Sequence, residues 1–273
     1  MIRKSFMIID KTESVIQWPE KYNLCGVKVS ATDYDETVSL ILKAAKLRQS
    51  SVVSCHAVHA IISASLDNQL LDQVNSFELI VPDGQPVRWA LNRLYQTNLS
   101  DRVYGPELTV RLSRKAAEEG VPIYLYGSSS DVIKLLCSTL ISKFPGLQIA
   151  GAESPPFRPL TQDESESMVK RINDSEAGIV FVGLGCPKQD QFASEYQHRL
   201  KAVQVCVGAA FDFIAGTKEM APSWMQQRGL EWLFRLSEEP RRLLRRYLVT
   251  NFRFIQKLLI QWGRQKILII WMN

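Results

Sequence analysis

The tripeptide Pro82-Asp83-Gly84 ends an apolar run and carries a carboxylate that could do chemistry. An aspartate at the end of a buried strand can face a ligand crevice. There it can accept a proton from a substrate hydroxyl, which is the work of a general base. The same tripeptide also suits a simple Asp-Gly turn, so the spacing alone leaves both interpretations open.

A second predicted strand end reads GLGCPKQ over residues 183–189. Its glycines, including Gly185, allow close approach of the backbone to a ligand, and Pro187 suits the first turn of a helix. Exposed amides at a helix start bind phosphate or sugar oxygens, and Lys188 and Gln189 would add donors. The stretch is neither a Walker loop nor a complete GxGxxG fingerprint. A structural strand-to-helix turn is the alternative interpretation.

Two further strand ends carry weaker signals. Gly127 opens the sequence GSSS, which can contact a nucleotide or simply cap the following helix. Ser54 and His56 lie at the end of a predicted buried strand, where the imidazole can bind a substrate or pack in the core. Cys55 lies beside that imidazole but lacks a visible triad, so nucleophilic cysteine catalysis is not expected.

The C-terminal tail combines large aromatic side chains with a dense arginine cluster. Five arginines lie within twelve positions: Arg235, Arg241, Arg242, Arg245 and Arg246. Guanidinium groups form fixed forks of donors that match phosphate oxygens. Residues 235–273 hold nine Arg or Lys against two Glu, so this tail is +7 while the rest sums to −2 within the overall +5. Such asymmetry indicates a nucleic acid, a membrane surface or an anionic ligand as partner.

Between these motifs, short β-rich runs alternate with helix-spaced segments. Strands are predicted at 27–31, 51–56, 77–84, 123–127, 147–151, 178–185 and 202–211, and one helix is predicted to continue through 57–74. Strands separated by helices predict an α/β fold, with a Rossmann-like, mostly parallel sheet and helices on both faces. Ligands bind such sheets beyond the carboxyl ends of the strands.

Composition sets the domain organisation and excludes some classes of site. A chain of 273 residues that is 46% hydrophobic can bury a large core. The amino-acid composition changes near residues 216–222, where an aromatic and basic tail begins. This change predicts a body over 1–216 and a C-terminal basic helical appendage over 217–273. Five cysteines without a CxxC pair, and three histidines, favour neither a disulfide framework nor a metal centre.

Targeting signals are weak. The apolar patch at Phe6–Ile9 is too short for a signal peptide, and no stretch approaches the length of a transmembrane helix. These features predict a cytoplasmic protein. Within the tail, apolar side chains interleave with Arg253, Lys257 and Arg264, which is typical of an amphipathic helix at a membrane interface. A helix packed on its own domain or on a partner is the alternative.

Taken together, PDG, RVYG (102–105), GLGCPKQ, GAAFDFIAG and the run APSWMQQRGLEWLFRL resemble the TagA/WecG/CpsF glycosyltransferase family. The resemblance covers roughly residues 24–250. It implies transfer of N-acetylmannosamine, its uronic acid or a related hexose from a UDP-sugar to a polyprenyl-diphosphate-linked sugar in cell-surface polysaccharide synthesis. It also implies an inverting reaction without metal or cofactor, on the inner face of the cell membrane, where the protein would be peripheral.

The resemblance also implies roles for individual residues. Asp83 matches the family's proposed base, Arg102 its arginine in an RVxG context, and Gln189 its PKQ glutamine. The family's tail arginines that contact the donor diphosphate match Arg235, Arg242 and Arg245. That division would leave Arg246, Arg253 and Arg264 facing lipid.

The remaining predicted substrate-binding residues are Ser54, His56, Gly127, Gly185, Lys188, Gly208, Phe211 and Asp212. The chain departs from the family at two of these positions. The family's Thr-x-Asn is Ser54-Cys55-His56, so an imidazole replaces a carboxamide. Its Gly-Gly-x-Phe-Asp begins with Gly208 and Ala209, so one glycine is missing.

Two other classes of protein share parts of this pattern. A nucleic-acid-binding protein would also have a basic, aromatic tail, although the body lacks a recognisable nucleic-acid module. A nicotinamide-dependent oxidoreductase would share the α/β body, although no complete dinucleotide fingerprint is present. We therefore expect a UDP-sugar, a lipid-linked acceptor and a membrane surface as partners, not nucleic acid. Formation of a homo-oligomer is left open.

Overall fold

A computed structural model describes residues 16–272, with side chains through Gln265. The predicted apolar patch at Phe6–Ile9 and the other residues before Ile16 lie outside the described residues, as does Asn273. The predicted body is therefore described from Ile16 onward.

Within the described residues, the body is built on a sheet of six parallel strands. They are β3 (Ser51–His56), β4 (Leu79–Pro82), β5 (Ile123–Gly127), β6 (Ile149–Glu153), β7 (Ile179–Gly183) and β8 (Val203–Cys206). Their order across the sheet is β4-β3-β8-β7-β5-β6, and every neighbouring pair is parallel. Strands β3, β4 and β8 are buried along their whole length, as expected for a sheet covered on both faces. The predicted fold class is confirmed.

Helices cover both faces of this sheet. They are α1 (Tyr34–Lys46), α2 (Val58–Ala64), α3 (Asn68–Ser76), α4 (Gln85–Tyr95), α5 (Gly105–Glu119), α6 (Ser130–Lys143), α7 (Gln162–Asp174), α8 (Lys188–Tyr196) and the short α9 (Ala210–Ile214). One core contains Ile41, Leu108 and Leu136 of α1, α5 and α6. The other contains Ile61, Leu91 and Phe192 of α2, α4 and α8. The sheet therefore separates two hydrophobic layers.

Two elements differ from the prediction. The run at 27–31 forms β2 (Val27–Ser30), which pairs antiparallel with β1 (Lys21–Leu24) in a separate two-stranded sheet. Positive φ angles of 57° at Cys25 and 101° at Gly26 close this hairpin. The single helix predicted over 57–74 is wrong, because Asp67 caps a new helix by accepting a hydrogen bond from the Leu70 N–H at 3.1 Å.

The appendage is helical, as predicted, and is fastened to the body. It comprises α10 (Ser223–Gln227), α11 (Glu231–Glu238) and α12 (Pro240–Met272). Leu243 and Phe254 of α12 are only 1% and 5% exposed. Phe254 belongs to the core that contains Ile61, Leu91 and Phe192. Gln261 Oε1 accepts from the Cys25 N–H at 3.0 Å, and Lys257 Nζ donates to the Ser65 carbonyl at 3.3 Å. The division at 216/217 stays a prediction, and α12 shares a core with the body.

Candidate active site

Asp83 lies directly after β4 at the carboxyl edge of the sheet. Its Oδ1 accepts a hydrogen bond from the Gly105 N–H at the start of α5, at 3.1 Å. Burial raises the pKa of the Asp83 carboxyl to about 6, with Arg102 opposing the rise and Glu231 adding to it. A carboxylate whose pKa lies near neutrality is suited to accept a proton at physiological pH.

Arg102 connects this edge of the body to the appendage. Its Nη2 lies 2.8 Å from Glu231 Oε2, with the two side chains 8% and 12% exposed. The same Nη2 donates to Gln226 Oε1 at 3.1 Å, and the guanidinium lies over the Tyr104 ring at 4.1 Å. The Tyr104 hydroxyl donates to Glu231 Oε1 at 2.9 Å. Helices α10 and α11 are therefore docked beside Asp83.

Arg235 and Arg246 bring positive charge to the same side of the body. Arg235 lies over the Phe213 ring at 5.2 Å. Burial lowers the pKa of the half-buried Arg246, and the neighbouring guanidinium groups of Arg242 and Arg235 contribute. Burial and the charges of Arg246 and Arg235 lower the pKa of His59 on α2 to about 3. Among the ion pairs of the described residues, none involves Arg235 or Arg246. Two uncompensated cations therefore converge between α2 and the appendage.

The predicted division of the tail arginines is wrong for Arg246, which was expected to face lipid. On α12, Leu243 and Phe254 face the body, and Arg246 follows Leu243 by less than one turn on that side. Arg245 is exposed, on the opposite side of the helix. Arg242 is exposed too and pairs with Glu239. The structure thus brings Arg235 near Asp83 but places Arg242 and Arg245 at the outer surface.

Ser54 and His56 lie in a buried polar cluster under the site. Ser54 Oγ donates to Asp190 Oδ1 at 2.7 Å, and His56 Nε2 lies 3.3 Å from the same oxygen. All three residues are buried, and His56 Nδ1 has no hydrogen-bond partner within the described part of the chain. Asp190 was missed from the sequence, although it directly follows the PKQ motif at the start of α8.

Gln189 and Gly208 join the loops that follow β7 and β8. The Gly208 N–H donates to the buried Gln189 Oε1 at 2.9 Å. Gly185 has a φ of 75°, which favours glycine in this loop. The carboxamide of Gln189 thus shapes the rim of the site from beneath.

Two predicted binding residues have packing roles in the structure. A Cβ on Gly127 would lie 2.6 Å from the Gly183 backbone, so β5 and β7 approach closely there. Phe211 is fully buried in the core, and its ring fills the space beside Gly183 that a Cβ would need. Ser129 is the N-cap of α6, as the helix-cap interpretation of this loop predicts.

The last two predicted residues lie at the periphery. Lys188 is exposed at the first position of α8. Asp212 is half-buried, and its backbone carbonyl accepts hydrogen bonds from the N–H groups of Thr217 and Lys218 at 3.0 and 3.2 Å. Asp212 thus anchors the connection from the body to the appendage through its backbone.

This chain is similar in sequence to known proteins over most of its length. Residues 22–267 match the glycosyl transferase WecG/TagA/CpsF family. The chain belongs to this family. A curated relative from Bacillus subtilis (strain 168) is 34% identical over 191 residues, which is 70% of this chain and 72% of the relative. That relative is an N-acetylglucosaminyldiphosphoundecaprenol N-acetyl-beta-D-mannosaminyltransferase.

As a WecG/TagA/CpsF family member, the protein is a glycosyltransferase. Membership favours this activity over the oxidoreductase and nucleic-acid-binding alternatives. In the described portion of this glycosyltransferase, no group of three or more His, Cys, Asp or Glu side chains could hold a metal ion. The charged groups that act on the pKa of Asp83 are Arg102, Glu231 and Arg235.

Proposed function

We propose that this glycosyltransferase moves N-acetylmannosamine or a related sugar from a UDP-sugar to a polyprenyl-diphosphate-linked N-acetylglucosamine. The observation that carries the proposal is the half-buried Asp83, with a pKa of about 6, beside the uncompensated Arg235. A base and a cation at one strand edge suit a reaction that removes a proton and expels a diphosphate. The name of the Bacillus subtilis relative supports this sugar and this acceptor.

In the proposed reaction, Asp83 accepts the proton of an acceptor hydroxyl. That oxygen forms a bond to the anomeric carbon while the bond from this carbon to the UDP oxygen breaks. Because attack comes from the face opposite UDP, the anomeric configuration inverts. One carboxylate is sufficient, since no covalent enzyme intermediate forms. General-base assistance of this kind typically contributes about 100- to 10,000-fold in rate.

The leaving diphosphate gathers negative charge, which we propose Arg235 and Arg246 stabilise. Neither guanidinium group has a carboxylate partner among the described residues. The charges of both lower the pKa of the His59 imidazole. Arginine can supply, without a metal ion, positive charge and hydrogen-bond donors to a diphosphate. Arg242 and Arg245 lie at the outer surface. Their binding of the diphosphate of the UDP-sugar stays a prediction.

The outer face of α12 carries an apolar stripe that suits a membrane surface. We define the outer stripe as the exposed residues Leu244, Leu248, Phe252, Ile255 and Leu259. Arg245 and Arg253 are exposed on the same helix. None of the helices in the described chain is long and apolar enough to cross a bilayer. We propose that the stripe lies in the interface of the cytoplasmic membrane face, where the lipid-linked acceptor would be presented.

Replacing part of the outer stripe should weaken membrane attachment. For the double variant Leu248→Gln/Phe252→Gln, we expect roughly 10-fold or greater loss of retention on anionic vesicles in sedimentation, because two large apolar side chains no longer enter the interface. The matched control is Leu135→Gln/Ile141→Gln, which alters two exposed apolar residues of α6. Equal retention of both double variants would show that the outer stripe does not bind membranes.

A transfer assay tests the proposed function. The full chain is incubated with UDP-N-acetylmannosamine and a polyprenyl-diphosphate-linked N-acetylglucosamine, with and without EDTA. We expect mass spectrometry to detect one added N-acetylhexosamine on the acceptor in both samples, and NMR to show an inverted anomeric centre. Loss of product in EDTA would contradict metal independence. Retention of configuration would contradict direct displacement. Failure to transfer a sugar from UDP-N-acetylmannosamine or a related UDP-sugar would contradict the proposed substrates.

A further inference from the structure

Glu231 is a carboxylate of the appendage that contacts the body beside Asp83. It lies at the first position of α11 and receives two contacts from one short segment of the body. Arg102 Nη2 is 2.8 Å from its Oε2, and the Tyr104 hydroxyl donates to its Oε1 at 2.9 Å. The Glu231 side chain is 12% exposed, so this charge is largely removed from water. The negative charge of a buried carboxylate raises the pKa of a neighbouring carboxyl group.

Arg102 has two acidic neighbours and pairs with only one of them. Although burial alone would lower its pKa, the charges of Glu231 and Asp83 hold the Arg102 pKa above its ordinary value. Within the described residues, an ion pair joins Arg102 to Glu231, and none joins Arg102 to Asp83. Asp83 Oδ1 instead accepts from the backbone of Gly105. An arginine paired with the Asp83 carboxylate would hold it as an anion of low basicity.

We infer that Glu231 is a positioning residue, which holds the Arg102 guanidinium toward the appendage and leaves the Asp83 carboxylate free to accept a proton. The base is then fully prepared only when α11 is docked on the body. The inference rests on the proposed function for the reaction that Asp83 assists. The arrangement of the three side chains does not depend on that reaction.

The charges around Asp83 give the sign of the expected effect. Burial has the largest effect and raises the pKa of Asp83, and the negative charge of Glu231 raises it further. The charges of Arg102 and Arg235 and the hydrogen bond from the Gly105 N–H lower it. Tyr34, Tyr104 and Cys55 also lie close enough to respond to the Asp83 charge, but burial raises the pKa of each, so they stay neutral near pH 7. Removing the Glu231 charge deletes one raising influence and frees Arg102 to act on Asp83. Both changes lower the pKa of Asp83.

The Glu231→Gln variant tests this inference, because glutamine keeps the side-chain length and can still accept from the Tyr104 hydroxyl. We expect the acid limb of the kcat/KM profile to move about 1 pH unit lower and the plateau to fall roughly 10-fold, since a less basic carboxylate is a poorer proton acceptor. UDP affinity should change less than about 3-fold. Glu238→Gln is the matched control, at the exposed end of the same helix, and should behave as wild type.

A titration independent of turnover separates this inference from the proposed function. The Asp83 carboxyl is followed by carbon-13 NMR in labelled protein without substrate, with Asp83→Asn used for assignment. We expect its pKa to fall in Glu231→Gln and to rise again in Arg102→Gln/Glu231→Gln, where both charges are gone. This double variant leaves no unpaired charge from the pair, so it serves if Glu231→Gln fails to fold.

The outcomes are distinct. An unchanged Asp83 pKa in Glu231→Gln would overturn the inference, even if the variant lost UDP binding or thermal stability, because Glu231 would then act only in docking. A pKa no higher in the double variant than in Glu231→Gln would overturn it as well. A shifted Asp83 pKa in a protein that transfers no sugar would support the inference and count against the proposed function.

Discussion

The Asp83→Asn variant is expected to lose about 100- to 10,000-fold in turnover while it keeps its affinity for UDP within a few-fold. Asparagine preserves the shape and can still accept the hydrogen bond from the Gly105 N–H. It cannot take a proton from the acceptor hydroxyl. Steady-state kinetics with the lipid-linked acceptor and calorimetric titration with UDP measure the two quantities separately.

The same variant should be more stable than the wild type at neutral pH. The pKa of Asp83 is about 6 in the folded chain, above the ordinary value of about 4 for an unfolded aspartate. The folded state therefore holds the proton more tightly, and stability falls as the pH rises from about 4 to 6. Asparagine removes this penalty, so we expect Tm to rise by about 2–4 °C at pH 7.5 and the difference to vanish below about pH 4.

This pair of results distinguishes a catalytic loss from a folding defect. Near-normal turnover of Asp83→Asn would remove Asp83 as the base. Lost turnover with a lowered Tm at pH 7.5 would attribute the effect to damage of the fold. Only lost turnover in a protein that is at least as stable as the wild type supports the proposed role.

The Arg235→Gln variant is expected to lose about 100-fold or more in kcat, because removal of one preorganised donor to a developing charge typically has that effect. Its guanidinium lies over Phe213 and acts on the pKa values of Asp83 and His59. UDP binding should weaken as well, whereas binding of uridine, which lacks the diphosphate, should not change. Calorimetry with the two ligands measures this difference.

Arg241→Gln is the matched control for the Arg235 substitution. Arg241 is an exposed arginine at the start of α12, and we assign it no role in the site. We expect its kcat and UDP affinity to stay within about 2-fold of wild type, as is usual for surface substitutions. Equal losses in the two variants would indicate a general effect of tail charge. Wild-type turnover in Arg235→Gln would exclude Arg235 from the diphosphate site.

Sequence patterns were sufficient to predict the parallel sheet and the position of Asp83 at its carboxyl edge. The buried strand Leu79–Pro82 is a continuous apolar run, and Asp83 follows it directly. Because the carboxyl ends of parallel strands meet at one edge, a position directly after a strand was enough to place Asp83 at that edge. That β3 is the neighbour of β4 was seen only in the structure. Local signals also predicted the Ser129 cap of α6.

Long-range partners could not be predicted in this way. Tyr104 and Glu231 are 127 positions apart, and neither residue carries a local signal that names the other. Arg245 and Arg246 show a related difficulty, since adjacent residues of a helix point about 100° apart. Which of them faces the body depends on where α12 begins and on the docking of Leu243 against the body, and neither is visible from composition.

Whether Asp83 is the catalytic base is tested by the pH dependence of kcat/KM. Measured from pH 4.5 to 8.5 with limiting lipid-linked acceptor, the wild type should be constant above about pH 7 and should fall tenfold per pH unit below about 6, as the carboxylate takes up a proton. The residual activity of Asp83→Asn should lack this limb. A wild-type profile that stays flat down to pH 5, or an acid limb that persists in Asp83→Asn, would contradict this role of Asp83.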